Sequence, residues 1–403
     1  MDNRPGQFKE KFSYIKPAPT LPLSQKVKDM KKQGINVIDF GTGDPGFKTP
    51  ESIIESAYSH MKDGHTHYTS SSGLLELKDE ISKKLEHDNC LHYSPEEIVI
   101  THGAKGAIYN ILKILCNPND EVIVPAPFYP GYLGMIKLVG AKPKVIQTSA
   151  DNNFKLTTSQ LEESVTDKTR LIIINNPTNP TGTVYSRKEL EALVSYIFNK
   201  KIYVISDEIY EKLLFGEKKH YSLASLNKDI KDLVLTVNGF SKTYAMTGWR
   251  IGYAAGPEEI ISTITKLQSQ SLSCLSPFIQ LACVEALKGD QTCVKDMVSC
   301  YSKRRDYMCD RLSKMGLDFP EPEGAFYVFP NISNFLGTKY TGKVVNDSLD
   351  FANLLLEEEK VALLFGPAFG MEGYLRLTFA TSNMQEIEEG MDRLERFLTK
   401  FKD

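Results

Sequence analysis

Chemistry enters this chain at one lysine. In the stretch Asn-Gly-Phe-Ser-Lys-Thr-Tyr-Ala-Met-Thr-Gly-Trp-Arg-Ile, residues 238–251, Lys242 stands among small residues and Arg250 follows closely. An apolar run at 233–237 precedes it and a second at 251–255 follows, so the pattern predicts two buried strands with Lys242 at a strand end. An amine in a confined site beside a fixed guanidinium titrates below a surface lysine, and a neutral amine attacks a carbonyl to form a Schiff base. That chemistry points to an aldehyde cofactor. Read alone, the window also fits a solvated lysine, one of 48 Lys and Arg residues.

Other reactive types recur where apolar runs stop. A short strand at 37–40 enters Gly-Thr-Gly-Asp-Pro-Gly, where Gly43 either brings backbone close to a ligand or only makes a turn. Tyr68 lies in a polar loop and is ambiguous. The strand 98–101 runs into His-Gly-Ala-Lys-Gly and a helix predicted over 107–116, so amides of Gly103, Ala104 and Lys105 could cradle a phosphate. The run 122–125 ends at Ala-Pro-Phe-Tyr-Pro, whose Tyr129 could stack on a flat ring or fill the core. The run 171–174 leads to Asn-Asn-Pro-Thr-Asn-Pro-Thr-Gly, a rigid turn that holds Asn179. The run 202–205 ends in Ser-Asp-Glu-Ile-Tyr, which puts Asp207 and Tyr210 at the same sheet edge. Asp207 could hold a cationic ring nitrogen; a helix cap is the plainer use.

The elements that must position these residues are strands alternating with helices from about residue 97, the signature of a mostly parallel sheet. Before it come a Pro-punctuated arm and helices near 24–32, 50–62 and 74–85. After it come long helices predicted over 257–287 and 291–314, then an α+β tail with strands near 324–329, 361–364 and 374–378 and helices near 350–359 and 385–401. The expected domains are an arm with part of a small domain at 1–45, a large domain at 46–289 and a small C-terminal domain at 290–403.

Composition removes several classes. With 41% hydrophobic and 25% charged residues and a net charge of -3, there is no nucleic-acid footprint and no disordered tail. No signal segment or bilayer-length apolar run is seen, so a soluble, cytoplasmic protein is expected. Seven cysteines without a Cys-x-x-Cys pair argue against a disulfide framework or zinc site. Histidines do not cluster with carboxylates at ligand spacing, and no metal is expected. A nicotinamide enzyme is disfavoured because no Gly-x-Gly-x-x-Gly turn opens a first βαβ unit.

Taken together, Gly43, Tyr68, Gly-Ala-Lys at 103–105, Tyr129, Asn-Pro-Thr-Asn-Pro-Thr-Gly, Ser-Asp-Glu-Ile-Tyr, Ser-Lys-Thr-Tyr-Ala-Met-Thr-Gly-Trp-Arg and Leu-Arg-Leu at 375–377 resemble the class I pyridoxal-phosphate aminotransferases over nearly the whole chain. The resemblance is strongest to the aspartate aminotransferases of the bacterial and archaeal branch. It implies a fold-type I transferase: an α/β large domain with a mostly parallel seven-stranded sheet flanked by helices, plus a smaller α+β domain. The cofactor it implies is pyridoxal 5'-phosphate, and the expected assembly is a homodimer with no nucleic-acid or membrane partner.

Under this resemblance Lys242 forms the Schiff base and moves the substrate proton, Asp207 keeps the pyridine nitrogen protonated, and Asn179 and Tyr210 hydrogen-bond the phenolic oxygen. Tyr129 stacks on the ring, where close relatives carry tryptophan. Gly103, Ala104, Lys105, Arg250, Ser241 and the partner's Tyr68 form the phosphate cup. Many relatives have serine three residues before the lysine; this chain has Gly239 there. Arg376 binds the substrate α-carboxylate, with Gly43 lending a backbone contact. Lys105 and Thr20 fall where this branch reads a side-chain carboxylate, and Lys105 serving only the phosphate is the alternative. The activity implied is transfer of the amino group of L-aspartate to 2-oxoglutarate. Aromatic-amino-acid, LL-diaminopimelate and alanine transfer, or carbon–sulfur cleavage, are the alternatives on this scaffold.

Overall fold

The aliphatic runs of the middle third fold as strands buried on both faces. In the computed structural model, which describes residues 21–380 and 383–402, they form one seven-stranded sheet. Its order is Ile98–Thr101, Gly252–Ala255, Val234–Gly239, Tyr203–Asp207, Thr169–Asn175, Glu121–Ala126, Lys142–Gln147. Gly252–Ala255 runs antiparallel to both neighbours, and every other pairing is parallel. Side chains alternate as the pleat requires. Ile172 and Ile174 enter one core with Ile98, Ile123 and Val204, while Leu171 and Ile173 enter another with Val99, Val122, Ile205 and Val237. A sheet covered on both faces puts its functional groups at strand ends, because nothing in the middle is open.

A third core joins the two ends of the chain. Leu23, Val27, Ile38 and Phe40 pack with Tyr301, Phe326, Phe351, Leu377 and Phe397. Ile38–Asp39 pairs in parallel with Val361–Ala362, and Leu364–Phe365, Leu375–Thr378 and Tyr327–Val328 form a small antiparallel sheet. Arg376 is carried on the middle strand of that sheet.

Several boundaries differ from the sequence expectation, each for a local reason. The helix predicted from 107 begins at Gly103, so the Gly-Ala-Lys stretch forms the first helical turn instead of preceding it. The single helix predicted over 257–287 is two, Glu258–Ser269 and Pro277–Lys288, broken where Ser273 takes a φ of 64° and Pro277 starts the next helix. The closing helix stops at Leu398, and Phe401–Lys402 pairs as a strand with Lys339–Tyr340. The strand Lys142–Gln147 has a polar, Pro-containing pattern suited to an edge and was not expected. The helix Arg187–Lys200, also unexpected, starts at a capping box in which Ser186 and Glu189 satisfy each other's backbone amides. Among the described residues no helix is long and apolar enough to cross a membrane.

Candidate active site

The carboxyl edge of the large sheet and the loop 41–46 enclose the site. Lys242 follows the strand Val234–Gly239, and its Nζ donates to the carbonyl of Gly43 at 2.7 Å. Burial lowers its pKa to about 8; Asp44 works against this, and Arg376 and Arg250 add to it. An amine with so depressed a pKa carries a far larger neutral fraction near physiological pH than a surface lysine does, and the neutral form is the nucleophile. Asp44 is fixed by Thr247, whose Oγ1 donates to Oδ1 at 2.6 Å.

Asp207 ends its strand with the carboxylate buried. Oδ2 accepts from the Tyr132 hydroxyl at 2.5 Å and Oδ1 from the amide of Ile209 at 3.3 Å. No ion pair reaches it among the described residues, and burial raises its pKa to about 6 despite those two bonds. A buried carboxylate without a cation is costly unless a ligand brings one. A ring nitrogen held as a cation would meet that need.

Tyr210, 4% exposed, hydrogen-bonds its hydroxyl to that of Tyr327 at 2.9 Å. Arg376 is buried. Its Nη1 donates to Asn179 Oδ1 at 3.3 Å and its Nη2 to the carbonyl of Gly41 at 2.5 Å, while Nε is buried with no partner. Its guanidinium lies 4.4 Å from the centre of the Tyr327 ring. Asn179 Oδ1 is thus engaged by Arg376, which leaves its amide N–H groups as donors toward the pocket.

At the first turn of the helix Gly103–Leu115, Gly103 has a φ of 72°, and a Cβ there would lie 2.7 Å from Arg250 Nη2. This cradle of free helix-start amides under a guanidinium has the chemistry of an anion site. Arg250 itself takes φ 56° and donates Nη1 to the Thr247 carbonyl at 2.8 Å. Tyr129 stands edge-on to Tyr132 with centroids 5.3 Å apart. Ser241 is buried and its hydroxyl has no hydrogen-bond partner among the described residues.

Other expected members take no part in the contacts just described. Lys105 is exposed on the first helical turn and makes no ion pair among the described residues. Tyr68 is 90% exposed, and its hydroxyl has no partner within the described chain. Thr20 and the arm before it lie outside the described residues. Gly239 leaves no room for the serine of relatives, because a Cβ would meet Gly252 Cα at 2.9 Å and the Ile251 carbonyl at 3.0 Å. Tyr132, Tyr327 and Asp44 were not singled out from the sequence. Tyr132 follows Tyr129 by about one helical turn, a spacing that could have flagged it; Tyr327 gave no signal.

A histidine that the sequence spacing left apart from carboxylates meets two of them in the fold. Glu208, Glu211 and His220 bring one ligand atom each within 4.8 Å of one another. Their oxygens are already used: Ser206, Ser222 and His220 bond Glu208, and Asn89 and Lys84 bond Glu211. Lys84 supplies the positive charge there. A hollow of about 400 Å³ beside this network is lined by Lys84, Glu211, Gly239, Thr243 and Tyr244, on the far side of the Lys242 segment.

The arrangement is an amine of depressed pKa, a buried carboxylate awaiting a cation and an anion cradle at one edge of the large sheet, with a buried arginine brought to them from the small sheet. The family model for aminotransferase class I and II matches residues 35–394. This chain belongs to that family. The aminotransferase is 41% identical to the aspartate aminotransferase of Bacillus sp. (strain YM-2), across 95% of this chain and 97% of that one. It is 42% identical to a protein named probable aspartate/prephenate aminotransferase from Rickettsia typhi, across 96% and 97% of the two chains. Its fold overlays the crystal structure of the aspartate aminotransferase from Rhizobium meliloti with a TM-score of 0.95 at 36% identity, covering 98% of this chain and 100% of that one. The expected fold class, a fold-type I transferase, therefore holds for this aminotransferase.

Proposed function

We propose that the chain transfers the amino group of L-aspartate to 2-oxoglutarate, giving oxaloacetate and L-glutamate, with pyridoxal 5'-phosphate bound at Lys242. The observation that carries this reading is the buried Asp207 carboxylate, which lacks a cation in the same pocket as an amine shifted to about 8. The names of full-length relatives favour aspartate as donor.

When bound, the cofactor supplies an aldehyde for the amine and a cationic ring able to accept electrons from the substrate Cα. Asp207 would hold that ring's nitrogen protonated, with Tyr132 fixing the carboxylate. Asn179 and Tyr210 would donate to the phenolic oxygen and Tyr129 would cover the ring. The amides of Gly103, Ala104 and Lys105, the Arg250 guanidinium and Ser241 would hold the phosphate. Arg376 would clamp the α-carboxylate with help from Gly43, and Lys242 would take the substrate Cα proton and return it. Lys105 would read the side-chain carboxylate, and Thr20 would join it from the arm.

We place the domain boundaries at 45/46 and 289/290 and the protein in the cytoplasm. A homodimer is supported by exposed apolar groups: Ile54, Tyr58 and Met61 line one helix face, and Tyr68 and Leu272 are exposed on neighbouring loops. Tyr68 would then reach the partner's phosphate cup.

The test is a panel of amino donors with 2-oxoglutarate, run with and without added pyridoxal phosphate. Aspartate should give the highest kcat/KM, and Lys105→Ala should lower it more for aspartate than for alanine. Equal losses for both donors would remove the side-chain role of Lys105; no transfer from any donor would end the proposal.

A further inference from the structure

Tyr327 lies where three parts of the site meet, and the family motifs gave it no role. Its hydroxyl is 2.9 Å from that of Tyr210, its ring lies 4.4 Å under the guanidinium of Arg376, and it is 1% exposed. A Cβ on Gly43 would overlap its hydroxyl, so the glycine that accepts from Lys242 also makes room for this phenol.

Donor counting then limits what Tyr210 can do. A phenol has one O–H to give. If Tyr210 spends it on the cofactor's phenolic oxygen, its contact with Tyr327 can persist only with Tyr327 as the donor. We propose that Tyr327 is a positioning residue that donates to Tyr210, aims the Tyr210 hydroxyl at the cofactor oxygen, and holds Arg376 with the face of the same ring. This deepens the proposed function and rests on it. Either hydroxyl can donate in the contact as it stands, and the facing Arg376 guanidinium offsets part of the burial that makes the Tyr327 phenol a weaker acid. A chain of two phenols also polarises, which strengthens the terminal bond. The two halves of the residue do separable work: the hydroxyl acts on Tyr210 and the ring acts on Arg376.

The experiment compares Tyr327→Phe, Tyr327→Leu and Tyr210→Phe by spectrophotometric pH titration of the lysine–cofactor absorbance and by steady-state kinetics. Loss of one hydrogen bond should move the titration midpoint of Tyr327→Phe up by about 0.5–1 pH unit, in the same direction as Tyr210→Phe and by less. KM for the amino donor should stay within about twofold in Tyr327→Phe and rise roughly tenfold in Tyr327→Leu, which loses the aromatic face. A Tyr327→Phe midpoint equal to wild type, beside a shifted Tyr210→Phe, overturns the relay and leaves the proposed function intact. A wild-type protein that takes up no visible absorbance overturns the proposed function and this inference with it. Equal KM values in the Phe and Leu variants overturn the role of the ring.

Discussion

Asp207 and Glu208 are adjacent in sequence and both buried, yet they end in opposite circumstances. Tyr203–Asp207 alternates its side chains, so Ser206 and Glu208 turn to one side and Asp207 to the other. On its side, Glu208 meets Ser206, Ser222 and His220, and the neighbouring Glu211 has a lysine. Burial would push Glu211 up, but Lys84, His220 and Asn89 outweigh it and hold the carboxyl below its usual range. Asp207 receives two neutral donors and no cation, and its pKa goes to about 6. The complete network ties the chain together, and the incomplete one waits for a ligand. An unbalanced buried charge is thus the better mark of a working site than a dense polar cluster.

The sharpest way to break this comparison is at its two poles. Asp207→Ala should cost about 10³-fold or more in kcat, read in the coupled aminotransfer assay, because the ring nitrogen loses the group that keeps it charged. Glu208→Gln should leave kcat within about threefold. If the two losses are similar, the distinction between the networks is wrong.

Next in size is stability. Lys84→Ala leaves the buried Glu211 without its cation and should destabilise by about 3 kcal/mol in urea unfolding. Asp207→Asn should not destabilise the cofactor-free protein at pH 7.5, since it removes a charge that nothing neutralises. A loss of comparable size in both would contradict the assignment.

The pH dependence follows from the same asymmetry. A folded pKa of about 6 against 3.8 unfolded means that the cofactor-free fold pays for an ionised Asp207 above about pH 4, fully so above pH 6. The cost is about 3 kcal/mol at about 1.4 kcal/mol per unit. Stability of the wild type relative to Asp207→Asn should therefore improve as pH falls from 7.5 toward 4, measured by unfolding at each pH. A difference that does not change with pH would show that Asp207 is compensated.

The smallest expected effect concerns the missing phosphate ligand. Gly239→Ser puts a Cβ against backbone atoms of Gly252 and Ile251, so it should lower stability by about 1–2 kcal/mol and not tighten cofactor binding. A serine variant as stable as the wild type and tighter for cofactor would show that the strand pair yields more than its packing implies.

The legible parts of this protein were those whose physics is local. The strand that ends at Asp207 and those that lead to Asn179 and Lys242 were readable because an aliphatic run bounded by turn residues has few other ways to fold. The helix break before Pro277 was less so, since the apolar pattern continues across it and only the serines and the proline interrupt it. Tyr327 and Tyr132 were invisible as functional residues because their roles come from partners 117 and 75 positions away. The Glu208–Glu211–His220 group was hidden for the same reason.

By itself the sequence determined the kinds of chemistry available: a lysine, a carboxylate, rigid asparagines and a glycine-bearing turn before a helix, each placed at a strand end by hydrophobic periodicity. The tertiary structure decided that Asp207 would have only two neutral donors while Glu208 joined a network that carries Lys84, and which tyrosine would stand between Tyr210 and Arg376. That decision depends on desolvation and on contacts between distant segments. Both are properties of the packed chain and of no single stretch of it.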